Sequence, residues 1–187
     1  ISHSDQPVQD CQRYLTQVTE EIAGDFHPTS PVWPLLSARS EAVDKVLMHL
    51  WGFYLNERTD LALAAVGGYG RGELYPFSDI DLLILVSQPP DEKTAAQLSE
   101  LLRNLWDIGL KVGSSVRTLD ECGTLASEDL TIFTSLLEAR WVAGSNELFS
   151  QLKSHIDAGH MWDSKAFYRA KLEETESRHD HFGNTES

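Results

Sequence analysis

The chain has 187 residues, enough for one domain, or one with an appendage, at about 150 residues per domain. Apolar residues make up 41% and charged residues 24%, which excludes a disordered, collagen-like or disulfide-rich chain. Lys and Arg total 15 against 29 Asp and Glu, a net charge of −14. No basic cluster interrupts that excess. Nucleic acid and anionic membranes are therefore poor partners, whereas a cation-assisted site for small phosphates stays open.

Cys11 and Cys122 lack metal-finger spacing and read as free thiols of a cytoplasmic protein. The longest apolar runs, 61–66 and 82–86, fall far short of the ~20 residues of a membrane helix. The chain begins at Ile1 without Met and ends in a charged segment, so it reads as a piece of something longer.

In chain order, Val8, Cys11, Leu15, Val18 and Ile22 recur at helical spacing and predict a helix that ends near Gly24. Pro28, Pro31 and Pro34 make residues 27–34 a connector. Ser37 or Ser40 can cap a second helix, whose Ala42, Val43, Val46, Leu47, Leu50, Trp51 and Tyr54 form a wide apolar face through Leu55. Such a face packs on a sheet. Residues 61–66 stop at Gly67-Gly68, and residues 81–86 stop at Ser87 before Pro89-Pro90, so both read as strands buried on two sides.

A third helix spans 91–107, and residues 110–118 complete a three-strand set. The rest reads as helical. Residues 127–129 cap a helix with Leu130, Phe133, Leu136 and Leu137, Ser145 or Asn146 caps another with Leu148, Phe149, Leu152 and Ile156, and a charged helix spans 164–179. The organisation expected is a helical segment over 1–58, an α/β core over 59–126 and a helical extension over 127–187.

One segment carries the chemistry. Gly67, Gly68, Gly70 and Gly72 fall within six residues after a strand. They can admit φ > 0 and bare N–H groups around phosphate oxygens, with Arg71 adding a fixed charge. A glycine-rich turn alone is as readily a tight turn, and this one is neither a Walker A loop nor a full dinucleotide fingerprint. Two nearby acids give it meaning. Asp79 and Asp81 stand one residue apart where the next strand starts, on one face and about 7 Å apart along the backbone. Two unpaired carboxylates at the end of a central strand call for a counter-charge, which a bound Mg²⁺ supplies.

The run from Gly67 to Leu74, then Pro76, then Ser78-Asp79-Ile80-Asp81-Leu82-Leu83, resembles the nucleotidyltransferase signature of the bifunctional PII uridylyltransferase/uridylyl-removing enzyme family, within the polymerase-β-like superfamily. Leu105-Trp106-Asp107, Val112-Gly113, residues 115–119, Glu121-Cys122 and residues 129–131 resemble it too. The resemblance implies an α/β (α+β) polymerase-β-like fold: a small mixed sheet with flanking helices and a helical C-terminal segment.

The implied reaction is Mg²⁺-dependent transfer of UMP from UTP to a tyrosine hydroxyl of the PII nitrogen-signalling protein, with release of pyrophosphate. Asp79 and Asp81 would hold the metal, and Gly67, Gly68, Gly70, Arg71 and Ser78 the phosphates. Arg117 would reach a phosphate or the base, although a surface ion pair suits it equally.

The family also implies downstream HD and ACT domains, so the chain is expected to lack uridylyl removal and glutamine sensing. His179-Asp180-His181 then reads as a solvated helix end, not as an HD site. Glu73 reads as a cap and not as a catalytic acid.

Two positions depart from the pattern. Lys111 stands where the resemblance implies a third carboxylate, and Ser114 where it implies a His. Asp107 and Asp120 are the substitutes for that acid, and strand alternation leaves open which face Lys111 takes. The alternatives are transfer of another nucleotide or to another acceptor, as in related adenylyltransferases, and a nucleotide-binding or partner-docking module without turnover.

Overall fold

A computed structural model describes residues 1, 6–24, 27, 31–56 and 58–156. The helix expected over 164–179 and the His179-Asp180-His181 tripeptide lie outside the described residues.

Helix α1, Pro7–Gly24, buries Cys11 and lays Tyr14 and Leu15 against the core. Helix α2, Trp33–Leu55, starts earlier than Ser37 or Ser40 would place it. Pro34 lies in its first turn, where a missing N–H costs nothing, and no side chain caps it. The apolar face anticipated for α2 is the buried one, from Ala42 to Leu55.

Strand β1, Leu61–Ala65, is buried at every residue. It runs into the single turn α3, Gly67–Gly70. Strand β2, Ile80–Val86, is buried except at Asp81. Helix α4, Glu92–Asp107, is capped by the Asp91 side chain, which accepts from the Thr94 N–H at 2.8 Å. It crosses over to strand β3, Val112–Arg117, parallel to β2.

Two elements depart from expectation. Helix α5, Leu119–Glu128, opens on a reciprocal capping box between Thr118 and Glu121, a helix that the Thr-x-x-Glu spacing signals and the apolar pattern does not. Helix α6, Leu130–Leu137, is capped by Asp129. After it the span read as purely helical contributes a strand, β4, Arg140–Gly144, antiparallel to β1. Only Val142 and Ala143 of its five residues are buried, so it shows neither alternation nor a long apolar run. Gly144 takes φ +77°, and a Cβ there would come within 2.5 Å of the Leu61 carbonyl oxygen. Helix α7, Asn146–His155, comes next with Ser145 as its cap.

The mixed sheet thus has four strands, not three, in the order β3-β2-β1-β4. Leu61, Leu63, Ala65, Leu82 and Ile84 face α1, α2 and α4. Ala62, Ala64, Leu83 and Leu85 face α5, α6 and α7 through Cys122, Phe133 and Leu152. Burial pushes the thiols of Cys11 and Cys122 up to about 11 each, and the two remain unbridged. No described helix is long and apolar enough to cross a membrane.

Candidate active site

The β2–β3 pairing sets the site. Asp81 of β2 lies in register with Gly113 of β3, and paired residues of neighbouring strands project to the same side. The Asp81 carboxylate is held between two glycines. A Cβ on Gly113 would lie 2.9 Å from its Oδ1, and one on Gly67 would lie 3.2 Å from its Oδ2. Gly67 also takes φ +59°, where a side chain is strained. Both positions therefore leave room for a carboxylate where other residues would crowd it.

Asp81 opens onto a cavity of about 320 Å³ beneath α6, lined further by Gly113, Ser114, Ser115, Arg117, Thr131 and Ser135. Thr131 and Ser135 are four residues apart on α6, one face of a helix. With Ser114 and Ser115 of β3 they give the cavity a hydroxyl-bearing wall, and Arg117 brings a cation to the end of β3. Asp79, exposed, immediately precedes β2. Neither Asp79 nor Asp81 makes an ion pair among the described residues. Partial burial, and secondarily the Asp79 charge, raise the Asp81 pKa above the usual carboxylate value.

The donor set fits a hard divalent cation. Two carboxylates without an ion-pair partner among the described residues supply oxygen ligands, and such a pair suits Mg²⁺, which takes one or two carboxylates and fills its other positions with water and substrate phosphates. No group of three or more His, Cys, Asp or Glu comes together to hold a metal among the described residues. Asp79, Asp107 and Asp120 do not themselves line the Asp81 cavity, but Asp79 alone of the three acts on the Asp81 charge. Lys111 lines a different cavity, with Ser78 and Ile80, while its carbonyl accepts from the Ile80 N–H at 2.7 Å.

The glycine segment divides into parts with different work. Gly67 and Gly68 open α3, and the first N–H groups of a helix have no acceptor within it. Gly70 is buried, and a Cβ there would meet the carbonyl oxygens of Glu138 at 2.9 Å and Ala65 at 3.0 Å, so its smallness serves packing. Arg71 pairs with Glu138 at 2.7 Å and Glu73 at 3.3 Å. Its charge is already balanced by two acids, and Glu73 is engaged there instead of capping a helix. Ser78 lines the cavity of Lys111 and not that of Asp81.

The sequence reading missed what anchors this turn. Tyr69, buried, donates its hydroxyl to Asp44 Oδ1 at 2.5 Å. Arg140 donates to both oxygens of Asp44, at 2.6 and 3.0 Å, and lies 5.3 Å from the centre of the Tyr69 ring. Burial, then the Asp44 charge, drive the Tyr69 pKa far upward, so its hydroxyl stays a donor. This network ties α2, α3 and β4 together across 96 residues of chain, a separation no local pattern reveals. Thr131 and Ser135, polar at i and i+4 on a mostly apolar helix, were the local signal for the cavity wall.

Residues 47–136 match the nucleotidyltransferase domain family. Over 91% of its length the chain is 47% identical to the bifunctional uridylyltransferase/uridylyl-removing enzyme of Photobacterium profundum. Enzymes of the same name from Vibrio cholerae and Pseudomonas putida KT2440 are 42% and 41% identical over 95% and 96% of the chain. The chain spans about a fifth of the length of these curated relatives, 20% in each case. Among solved structures, a toxin-antitoxin with AMP-PNP aligns at 15% identity and a TM-score of 0.37, over 71% of this chain and 92% of that one. With its Asp-x-Asp pair and glycine turn inside the matched segment, the chain is a relative of the bifunctional uridylyltransferase/uridylyl-removing enzymes that carries a nucleotidyltransferase domain.

Proposed function

We propose that this chain transfers UMP from UTP to a tyrosine hydroxyl of the PII nitrogen-signalling protein, with Mg²⁺ as cofactor, in the cytoplasm. The observation that carries the reading is the Asp81 carboxylate, seated between Gly67 and Gly113 with no cationic partner, at the mouth of a cavity that also holds Arg117. The names of the relatives support uridylyl transfer over other nucleotidyl transfers.

In the transfer, a bond forms between the acceptor oxygen and the α-phosphorus while the bond to the pyrophosphate oxygen breaks, and the proton of the acceptor hydroxyl passes to water. A divalent cation, when bound, neutralises triphosphate charge and stabilises the negative charge that develops on those oxygens. Asp79 and Asp81 would hold it. The N–H groups of Gly67 and Gly68 donate to phosphate oxygens, and Arg117 adds a positive charge to a chain that would otherwise repel a polyanion. Ser114, Ser115, Thr131 and Ser135 orient the nucleotide through their hydroxyls. Arg71, held by Glu73 and Glu138, braces the turn.

The test is incubation with radiolabelled UTP, Mg²⁺ and purified PII, with ATP and CTP as controls. Label on PII from UTP alone is the expected result. Label from another nucleotide would reassign the donor. A second reading, a nucleotide-binding module without turnover, is favoured by the lack of a third acid in reach of Asp81 among the described residues. That reading predicts thermal stabilisation by UTP and Mg²⁺ with no label transferred.

A further inference from the structure

On the opposite side of the β2 start from the Asp81 cavity lies a second one, of about 520 Å³, between the carboxyl end of α1, the amino end of α2 and the loop that precedes β2. Its walls are apolar, with Ile22, Leu35, Leu36, Leu74, Ile80 and Leu110 among them. Two cations also line it, Arg39 and Lys111, and none of its lining residues among the described ones is an acid. In a chain with 29 acids and 15 Lys and Arg, that is an inversion of the surrounding charge.

Arg39 is the informative residue. It is half-buried, its Nε is inaccessible and has no hydrogen-bond partner, and its guanidinium forms no ion pair among the described residues. Elsewhere in this molecule the part-buried arginine Arg140 has its carboxylate, Asp44. A guanidinium N–H withdrawn from water without an acceptor is costly, and here the half-buried Arg39 side chain borders a space large enough for a small ligand. The neighbouring cavity, which shares Arg39, contains Glu20, but that residue is exposed and not paired with Arg39.

We infer that this cavity binds a small organic anion with an apolar body, its anionic headgroup paired with the Arg39 guanidinium and its body against the aliphatic wall. The site is separate from the nucleotide site, since Asp81 and Arg117 do not line it. A nucleoside triphosphate, polar along its length, does not match six aliphatic walls, whereas an alkyl or aryl carboxylate does.

The experiment titrates octanoate into the 187-residue chain and follows heat release, with 1-octanol as the neutral control of the same length. Saturable binding of octanoate is expected, at least tenfold tighter than octanol and weaker in high salt. Arg39→Met keeps the apolar stem, removes the charge, and should lower octanoate affinity about tenfold or more while leaving octanol unchanged. Ile22→Trp, which fills the cavity from α1, should lower the affinity for both. Absence of saturable octanoate binding, equal binding of octanol, or unchanged octanoate affinity in a folded Arg39→Met variant would each overturn the inference. The preference of the parent chain for octanoate over octanol does not depend on any variant folding.

Discussion

Asp44 and Asp81 bracket the glycine turn from two sides, and the fold treats them in opposite ways. Asp44 accepts three hydrogen bonds, one from the Tyr69 hydroxyl and two from Arg140. Asp81 has glycines at both oxygens and no cation. A carboxylate that belongs to the scaffold is compensated from within, because a lone charge taken from water costs several kcal/mol. Asp81, exposed and without a protein cation among the described residues, has only solvent to compensate it, which leaves its charge free for a ligand from outside. The contrast separates the part of the turn that is held, Tyr69 to Arg71, from the part that is offered, Gly67 and Gly68.

The largest break in this comparison comes from removing the offered charge. Asp79→Asn or Asp81→Asn should lower UMP transfer by about 10³-fold, the scale of losing several kcal/mol of transition-state stabilisation, without loss of the folded state. Transfer of radiolabel from UTP measures the rate and urea denaturation the fold. A parent-like rate in both variants would exclude the carboxylate pair as the metal site. The reverse pattern holds for the compensated charge. Arg140→Met should cost about 2 to 3 kcal/mol, below the usual cost of breaking a fully buried pair because Arg140 is 34% exposed. Asp44→Leu added to it should cost less than the two single losses together; strict additivity would show that the two residues do not act as a pair.

Gly113→Ala sharpens the comparison with a smaller effect. Its Cβ would meet Asp81 Oδ1 at 2.9 Å, and the carboxylate must turn away. Transfer should fall about tenfold, since small misplacements at a reacting centre are expensive. Stability at this exposed edge-strand position should shift by less than about 0.5 kcal/mol. If stability fell and the rate did not, Gly113 would serve the sheet and not the carboxylate.

How much of this was legible in the sequence depends on which interactions are local. The caps at Asp129 and Ser145, the apolar face of α2 and the two central strands were readable because each is written within a dozen residues. The Asp-x-Asp pair at the start of β2 and the glycines of α3 stand out in the sequence for the same reason. Strand β4 was not, because an edge strand that borrows its burial from β1 carries no pattern of its own. Nor were the partners of Arg71 and Tyr69, since Glu138, Asp44 and Arg140 are brought to them only by the closed sheet. The neighbours of Arg71 in sequence are glycines, which suggest a phosphate loop and say nothing of its ion pairs. Its neighbours in space are two acids.

The smallest effect is the most direct probe of the uncompensated charge. Burial and the Asp79 charge raise the folded pKa of Asp81, so the folded chain holds that proton more tightly than the unfolded one. The associated stability is present in full below the unfolded value, near 3.9, and is lost as pH rises through the raised value. The Asp81→Asn variant lacks this loss. In EDTA its stability relative to the parent should therefore increase from pH 4 towards neutrality, by about 0.5 kcal/mol or less because Asp81 is exposed and solvent screens it. Added Mg²⁺ should reverse the sign, because the cation binds the ionised carboxylate and stabilises the parent more as protons leave. Urea titrations of parent and variant at pH 4.5 and 7.5, with EDTA and with Mg²⁺, give the four differences. A parent–variant difference that does not change with pH in EDTA would mean that Asp81 carries no uncompensated charge, and the contrast with Asp44 would fall with it.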